Sequence, residues 1–269
     1  MGQAPLPAPP ELVAAYLAAR SGGEAPLAMA TLARRLVAIS AAHRLQGERL
    51  DTQHPAIRNT WQGLRRQRGS AQRQVAPATR AVVQAMLAAI DAESLSGQRD
   101  RALLLIGYAA GLRRSELVAL EVADIEPLAD GLLLTIRRSK TDQEGAGEAI
   151  GIPRSNVATC AALDAWLAAA AITSGRLFRS VDRHGRIGDG LSDKAVALIV
   201  KQRAAAAGLD PALFSGHSLR AGMITSAAAA GAADRDIQRQ SRHKSAAVMQ
   251  RYIRPASVFR NNVAESVGL

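Results

Sequence analysis

Apolar residues recur at helical spacing along nearly all of this 269-residue chain, and one stretch breaks the pattern. Ala and Leu supply most of the apolar mass, while aromatics make up 3% of residues, a balance that favours packed helices over sheets. The exception is a pair of short apolar runs, residues 132–137 and 149–153, on either side of a polar, Gly-containing loop at 139–147. Together they read as a β-hairpin. The expected fold class is therefore mainly α, with a small helical module followed by a larger, mostly helical domain that carries a small β-hairpin or sheet.

The boundary falls near residue 74. Upstream, residues 11–20, 31–45 and 55–67 read as helices. Leu32, Leu36, Ile39 and Leu45 form the apolar stripe of the second, and Ile57, Trp61 and Leu64 that of the third. Residues 69–77 are polar, end in Pro77 and read as a linker. This gives a first domain at 1–74 and a second at 75–269. The second opens with Thr79 as a plausible N-cap of a helix at 80–90. A nearly all-apolar, buried helix follows at 100–110 and stops at Gly111. Further helices are expected at 156–171, 192–207, 219–230, 234–240 and 245–252.

Net charge is +11, and of 34 basic residues only Lys140, Lys194, Lys201 and Lys244 are lysines. Arg presents a planar fork that matches phosphate bidentately, so nucleic acid is the partner this composition suits. A GC-rich genome would also write Arg for Lys, but that does not account for the net charge. Residues 1–74 hold ten Arg, no Lys and four acidic residues, a net +6. Cys160 is the single cysteine, so a disulfide framework within one chain is excluded. No run reaches the ~18 apolar residues of a membrane span, and the first ten residues lack the basic and apolar regions of a signal peptide. The expectation is a cytoplasmic, nucleoid-associated protein with no membrane partner.

Three basic motifs stand out in the second domain. The first is GLRRSEL at 111–117, in which Arg113 and Glu116 are spaced i, i+3. A carboxylate so placed can hold a guanidinium toward a phosphate, although in isolation the pair is equally a surface ion pair. Arg114 points some 100° away and is expected to be solvated or to hold neighbouring structure. The second motif, HSLRAG at 217–222, places His217 and Arg220 at the start of a helix, where N–H groups and partial positive charge favour an anion. Ala221 and Gly222 permit close backbone approach. The third, RHKSAAVMQRYIR at 242–254, carries His243, then Ser245 as the expected N-cap of the following helix, and then Tyr252. Tyr16 and Tyr108 have no such basic flanks. Between the motifs, Lys140 on the hairpin loop could reach a groove and protonate a departing oxygen, with Arg137 and Arg138 as competing phosphate contacts. No acidic cluster with metal-ligand spacing is present, so no metal and no cofactor is expected. Cations can neutralise the phosphate oxygens instead, and a Tyr nucleophile would store the bond energy as a phosphotyrosine.

This ordered set resembles the tyrosine recombinase, or phage integrase, family over residues 78–260. The resemblance implies Tyr252 as nucleophile, with Arg113, Arg220 and His243 stabilising the pentacoordinate phosphate. It further implies Lys140 as proton donor to the 5′-hydroxyl, His217 as an aid to proton transfer and Glu116 as a support. It implies a partner of double-stranded DNA, a homotetramer working through a Holliday junction, exchange of the C-terminal tail between subunits, and accessory DNA-bending proteins. The expected DNA contacts are Arg34, Arg35, Arg58, Arg65, Arg66, Arg114, Arg138 and Lys244. Two departures from the family pattern stand out. Where many relatives have Leu-Gly before the last His, this chain has Gln240-Ser241-Arg242, in which Arg242 adds charge. The N-terminal module has three helices where the family commonly has four or more, which implies a module cut short. A type IB topoisomerase, which shares this chemistry, and a non-catalytic DNA-binding relic are the alternatives; a helical regulator with purely compositional Arg is a third.

Overall fold

The computed structural model describes residues 6–69, 75–137, 147–243, 245–246, 249–250 and 252–253. It divides into two compact units, Met1–Gln74 and Val75–Leu269.

The first unit contains α1 (Pro10–Ser21), α2 (Met29–Leu45) and α3 (Pro55–Arg68). Pro10 and Pro55 occupy first-turn positions, where a missing N–H costs nothing. The apolar stripes close on Val13, Leu17, Leu32, Leu50, Ile57 and Leu64. One expected member is absent, since Leu45 is 89% exposed. It lies thirteen residues beyond Leu32, or roughly 220° around the helix. His43 takes the inward position instead. Its Nε2 accepts the Ala8 N–H at 2.9 Å and its Nδ1 lies 2.8 Å from the Ile39 carbonyl. Arg68 donates to the Ser21 and Leu27 carbonyls, tying the end of α3 to the α1–α2 connection.

The second unit contains α4 (Arg80–Ala88), α5 (Leu95–Ala109), α6 (Arg114–Ala119), β1 (Ile125–Leu128), β2 (Gly131–Ile136), β3 (Glu148–Pro153), α7 (Val157–Ala169), α8 (Asp193–Ala206), α9 (Ser218–Ala229) and α10 (Asp234–Ser241). Buried α5 is the hub and packs against α4, α6, α7 and α9. It begins five residues before the expected start, because Ser94 accepts the Gly97 N–H and caps it. Thr79 stands at the N-cap of α4, but its side chain makes no capping bond. The expected hairpin is β2–β3, with Leu134 facing Ile150; its loop, with Lys140 and Arg138, lies outside the described residues. A third strand, β1, pairs antiparallel with β2 and gives a sheet ordered β1-β2-β3. Beyond α10, Ala246, Met249, Gln250, Tyr252 and Ile253 are helical.

On α5 itself, Asp100 is 1% exposed and accepts Arg99 on one oxygen and Arg203 of α8 on the other. The chain before α4 is stitched to α9. Ala78 N–H donates to the Ser218 carbonyl at 2.8 Å, and Arg80 N–H donates to Ser226 Oγ at 3.0 Å. Gly222 makes this approach possible, because a Cβ there would sit 1.8 Å from the Ala78 carbonyl oxygen. Among the described residues, no helix is long and apolar enough to cross a membrane.

Candidate phosphodiester site

The site begins where α5 stops. Gly111 has φ +57°, and a Cβ on it would strike the Met223 Cε at 2.3 Å. The left-handed backbone is what calls for glycine here, since the Met223 methyl is the end of a flexible side chain. The next turn sets Arg113 at the N-cap of α6, in extended backbone, with Glu116 at the third helical position. The pair does not share a helical face, as the spacing alone suggested. Instead the Glu116 carboxylate folds back to accept the Arg113 backbone N–H at 2.9 Å on one oxygen and the Arg113 guanidinium on the other. This is half of a capping box, with the N-cap side chain supplying a charged donor.

Glu116 is 2% exposed. Burial alone would raise its pKa. Opposing it, the charge of Arg242 comes first, followed by the hydrogen bonds and charge of Arg113, and together they hold the carboxyl below its ordinary value. Arg242 Nη2 donates to Glu116 Oε2 at 2.7 Å, so one buried carboxylate serves two guanidinium groups.

Arg220, in the first turn of α9, is 5% exposed. Its Nη1 donates to the Gly111 carbonyl at 2.7 Å, and its Nη2 lies 3.3 Å from His243 Nδ1. Burial, and then the charges of Arg113 and Arg242, pull its pKa down to about 9, which leaves it charged at neutral pH. Ser241 Oγ lies 2.9 Å from the same His243 nitrogen. With Arg220 able only to donate, Nδ1 is an acceptor, and the imidazole proton sits on Nε2. Burial, and then Arg220, Arg113 and Arg242, lower the His243 pKa to about 4, so the ring is a neutral N–H donor. The Gln238 amide holds the His243 carbonyl at 2.8 Å. Tyr252 is half-buried beside this ring, with centroids 6.3 Å apart and planes tilted by 43°. Thr225 Oγ1 donates to the Tyr252 carbonyl at 3.4 Å.

His217 occupies the N-cap of α9 with its ring exposed and makes no capping bond. Partial desolvation, then the charges of Arg114, Arg220 and Arg113, push its pKa down, with Glu116 opposing. Five of the expected residues (Arg113, Glu116, Arg220, His243 and Tyr252) thus converge, with His217 at the margin. Arg114 pairs with Asp193 at 3.1 Å, and its stem packs against Gly216, where an added Cβ would come within 3.1 Å of it. It joins α6 to α8 and to the start of α9. Arg137 pairs with Asp124. In the first unit Arg34 reaches Thr31, while Arg35 donates to Tyr16 and lies over its ring; Arg58, Arg65 and Arg66 are exposed on α3. Lys140, Arg138 and Lys244 lie outside the described residues. No group of three or more metal-ligating side chains occurs among the described residues. Sequence reasoning treated Arg242 as added charge and missed its place at Glu116. Its left-handed backbone, φ 54° and ψ 44°, has no signature in an Arg-rich run.

The phage integrase family model matches residues 78–257. An integrase/recombinase xerD homolog of Selenomonas ruminantium is 38% identical over 269 residues, which is 97% of this chain and 78% of the relative. The tyrosine recombinase XerD of Xanthomonas axonopodis pv. citri is 35% identical over 177 residues, covering 65% of this chain and 56% of the relative. Among solved structures, XerH site-specific recombinase bound to a palindromic difH substrate superposes with a TM-score of 0.72 at 17% identity, covering 99% of this chain and 74% of that one. The Tn1549 transposon integrase in complex with transposon right end DNA gives 0.67 at 14% identity, covering 91% and 80%. At these identities the superpositions speak to the fold.

Proposed function

Since the chain belongs to the phage integrase family of tyrosine recombinases, we propose that it breaks and rejoins duplex DNA at specific sites through a phosphotyrosine at Tyr252. The observation that carries this reading is the convergence of Arg113, Arg220, His243 and Tyr252 from segments spread over 140 positions, with Arg113 held by the buried Glu116 carboxylate, Arg220 against His243 and His243 beside Tyr252.

In this mechanism the Tyr252 hydroxyl oxygen attacks the scissile phosphorus. The bond from phosphorus to tyrosine oxygen forms as the bond from phosphorus to the 5′ oxygen breaks. The 3′ side stays on the enzyme, and a 5′-hydroxyl leaves. The tyrosine proton passes outward with the help of His217, and Lys140 supplies the proton taken up by the 5′ oxygen. Arg113 and Arg220 face the non-bridging oxygens, and the His243 Nε2–H adds a neutral donor. Such charges, fixed before the reaction in a partly dry site, stabilise the transition state without reorganisation. The reverse attack by another 5′-hydroxyl rejoins the strand at nearly equal energy, so no nucleotide is consumed. Tetramers on two duplexes, a Holliday junction, tail exchange between subunits and accessory bending proteins belong to this proposal. So does the division of labour, in which residues 1–74 clamp DNA and residues 75–269 do the chemistry.

The test is a covalent trap. The full chain is mixed with sheared genomic DNA of its source without divalent metal, denatured in detergent, and protein-linked fragments are sequenced. Adducts at one recurring sequence, lost in Tyr252→Phe while binding persists, are expected. Adducts spread without preference would point to topoisomerase action, and adducts that persist in Tyr252→Phe would overturn the mechanism.

A further inference from the structure

Arg242 combines three features that are each unusual. It holds a left-handed backbone at φ 54° and ψ 44°, a conformation unfavourable for a residue with a β-carbon. Its guanidinium is inside the molecule, with the side chain 5% exposed. Among the described residues its Nη2 donates to Glu116 at 2.7 Å, while Nε and Nη1 are buried with no hydrogen-bond partner, and Glu148 of β3 lies 4.0 Å from Nε. Strain and unmet N–H groups at one residue call for a reason.

The neighbours supply it. Glu116 is gripped from one side by Arg113 and from the other by Arg242. The Arg242 carbonyl lies 3.5 Å from Arg113 Nη2, so both ends of the residue bear on Arg113. The left-handed turn at Arg242 also ends α10 and delivers His243, which is the next residue. Arg242 and His243 line the same cavity of about 360 Å³, with Glu148, Arg235, Gln238 and Arg239.

We propose that Arg242 is a positioning residue for DNA cleavage: through Glu116 and its own carbonyl it fixes the Arg113 guanidinium, and through its backbone turn it aims His243. The inference rests on the reading of the site as a recombinase centre. Removing the Arg242 guanidinium leaves Glu116 anchored by Arg113 alone, so the Arg113–Glu116 pair loses its outer support and can shift as a unit. Glu116 would also lose the largest of the influences that oppose its burial. Besides Arg242, the charged and titratable groups that bear on Glu116 are Arg113, Arg220 and His217, with Glu121, Asp124, Arg137 and Arg176 lining the cavity it opens onto. Without Arg242 the carboxyl takes up a proton at higher pH, and the acid side of the cleavage profile moves up with it.

The test uses the full chain carrying Arg242→Gly or Arg242→Asn, both of which tolerate a left-handed backbone and so separate the guanidinium from the turn. Initial rates of covalent adduct formation on the sheared genomic DNA are measured from pH 5 to 9, with thermal melts and filter binding alongside. The expectation is a fall of roughly ten- to a hundredfold in adduct rate, the scale of a misplaced positioning group, with an acid limb shifted to higher pH and unchanged binding. Rates within threefold of the parent with an unmoved limb would overturn the proposal. So would a slower variant whose limb does not move, or one that no longer folds, because either assigns Arg242 to structure alone. A parent chain that forms no adduct removes the recombinase reading, and this inference with it.

Discussion

His243 sits among three guanidinium groups before any phosphate arrives, and that fixes its protonation. Burial and then the charges of Arg220, Arg113 and Arg242 lower its pKa to about 4. Since the ordinary value is about 6.5, the unfolded chain binds the proton more readily than the folded one between those limits. Stability should therefore fall as pH drops from about 6.5 toward 4, through this residue and, in the same direction, through His217. The direct check is an NMR titration of the His243 ring in the DNA-free protein. Its Cε1 proton should keep its neutral-form shift down to about pH 5, and a midpoint near the ordinary histidine value would remove the picture of a neutral donor. The participants were legible in the sequence because spacing and flanking charge marked Arg113, Arg220, His243 and Tyr252. Their arrangement was not. Spacing could not tell a shared helical face from a carboxylate folded back on an N-cap, as found for Glu116.

At the scale of elements, the site depends on how closely α9 approaches the chain ahead of α4. Gly222 lies on α9 two residues past Arg220. A Cβ there would meet the Ala78 carbonyl oxygen at 1.8 Å, its carbon at 2.2 Å and Thr79 N at 2.9 Å, all of them backbone atoms that cannot rotate aside. Gly222→Ala gains about 1 kcal/mol of helix propensity, yet overpacking against fixed backbone costs about 1–3 kcal/mol, and here the clash should win. Urea unfolding should show a lower midpoint for this variant; an equal or higher one would mean that α9 has room to move. The close approach was readable from Ala221-Gly222, but other elements were hidden. β1 contains Pro127 and shows mostly exposed side chains, so it lacks the alternation of a half-buried strand. The first turn of α5 is set by Ser94 and contains Gly97, which weakens the helical signal there. Helices with long apolar stripes were legible because burial alone specifies them, while short edges depend on partners far along the chain.

For the molecule as a whole, charge is the property that needs no target sequence to be tested. Residues 1–74 carry +6 of the net +11, although they are little more than a quarter of the chain. Not all of that charge is available to a phosphate. Arg68 is spent on the Ser21 and Leu27 carbonyls, and Arg35 on Tyr16. Arg58, Arg65 and Arg66 are exposed on α3, with Arg58 and Arg65 seven positions apart and so nearly in line along the helix. Each phosphate neutralised releases condensed counterions, and log K falls against log salt with a slope of about −0.9 per contact. Because that effect is independent of sequence, random duplex DNA suffices as the probe. Replacing Arg58, Arg65 and Arg66 together by Ala should flatten the slope by about two to three units if all three meet phosphates. Melting should change little, since none of the three is in the buried set of the first unit. An unchanged slope in a folded variant would mean that the first unit grips DNA by another face, or that the positive charge of the second unit alone carries the binding.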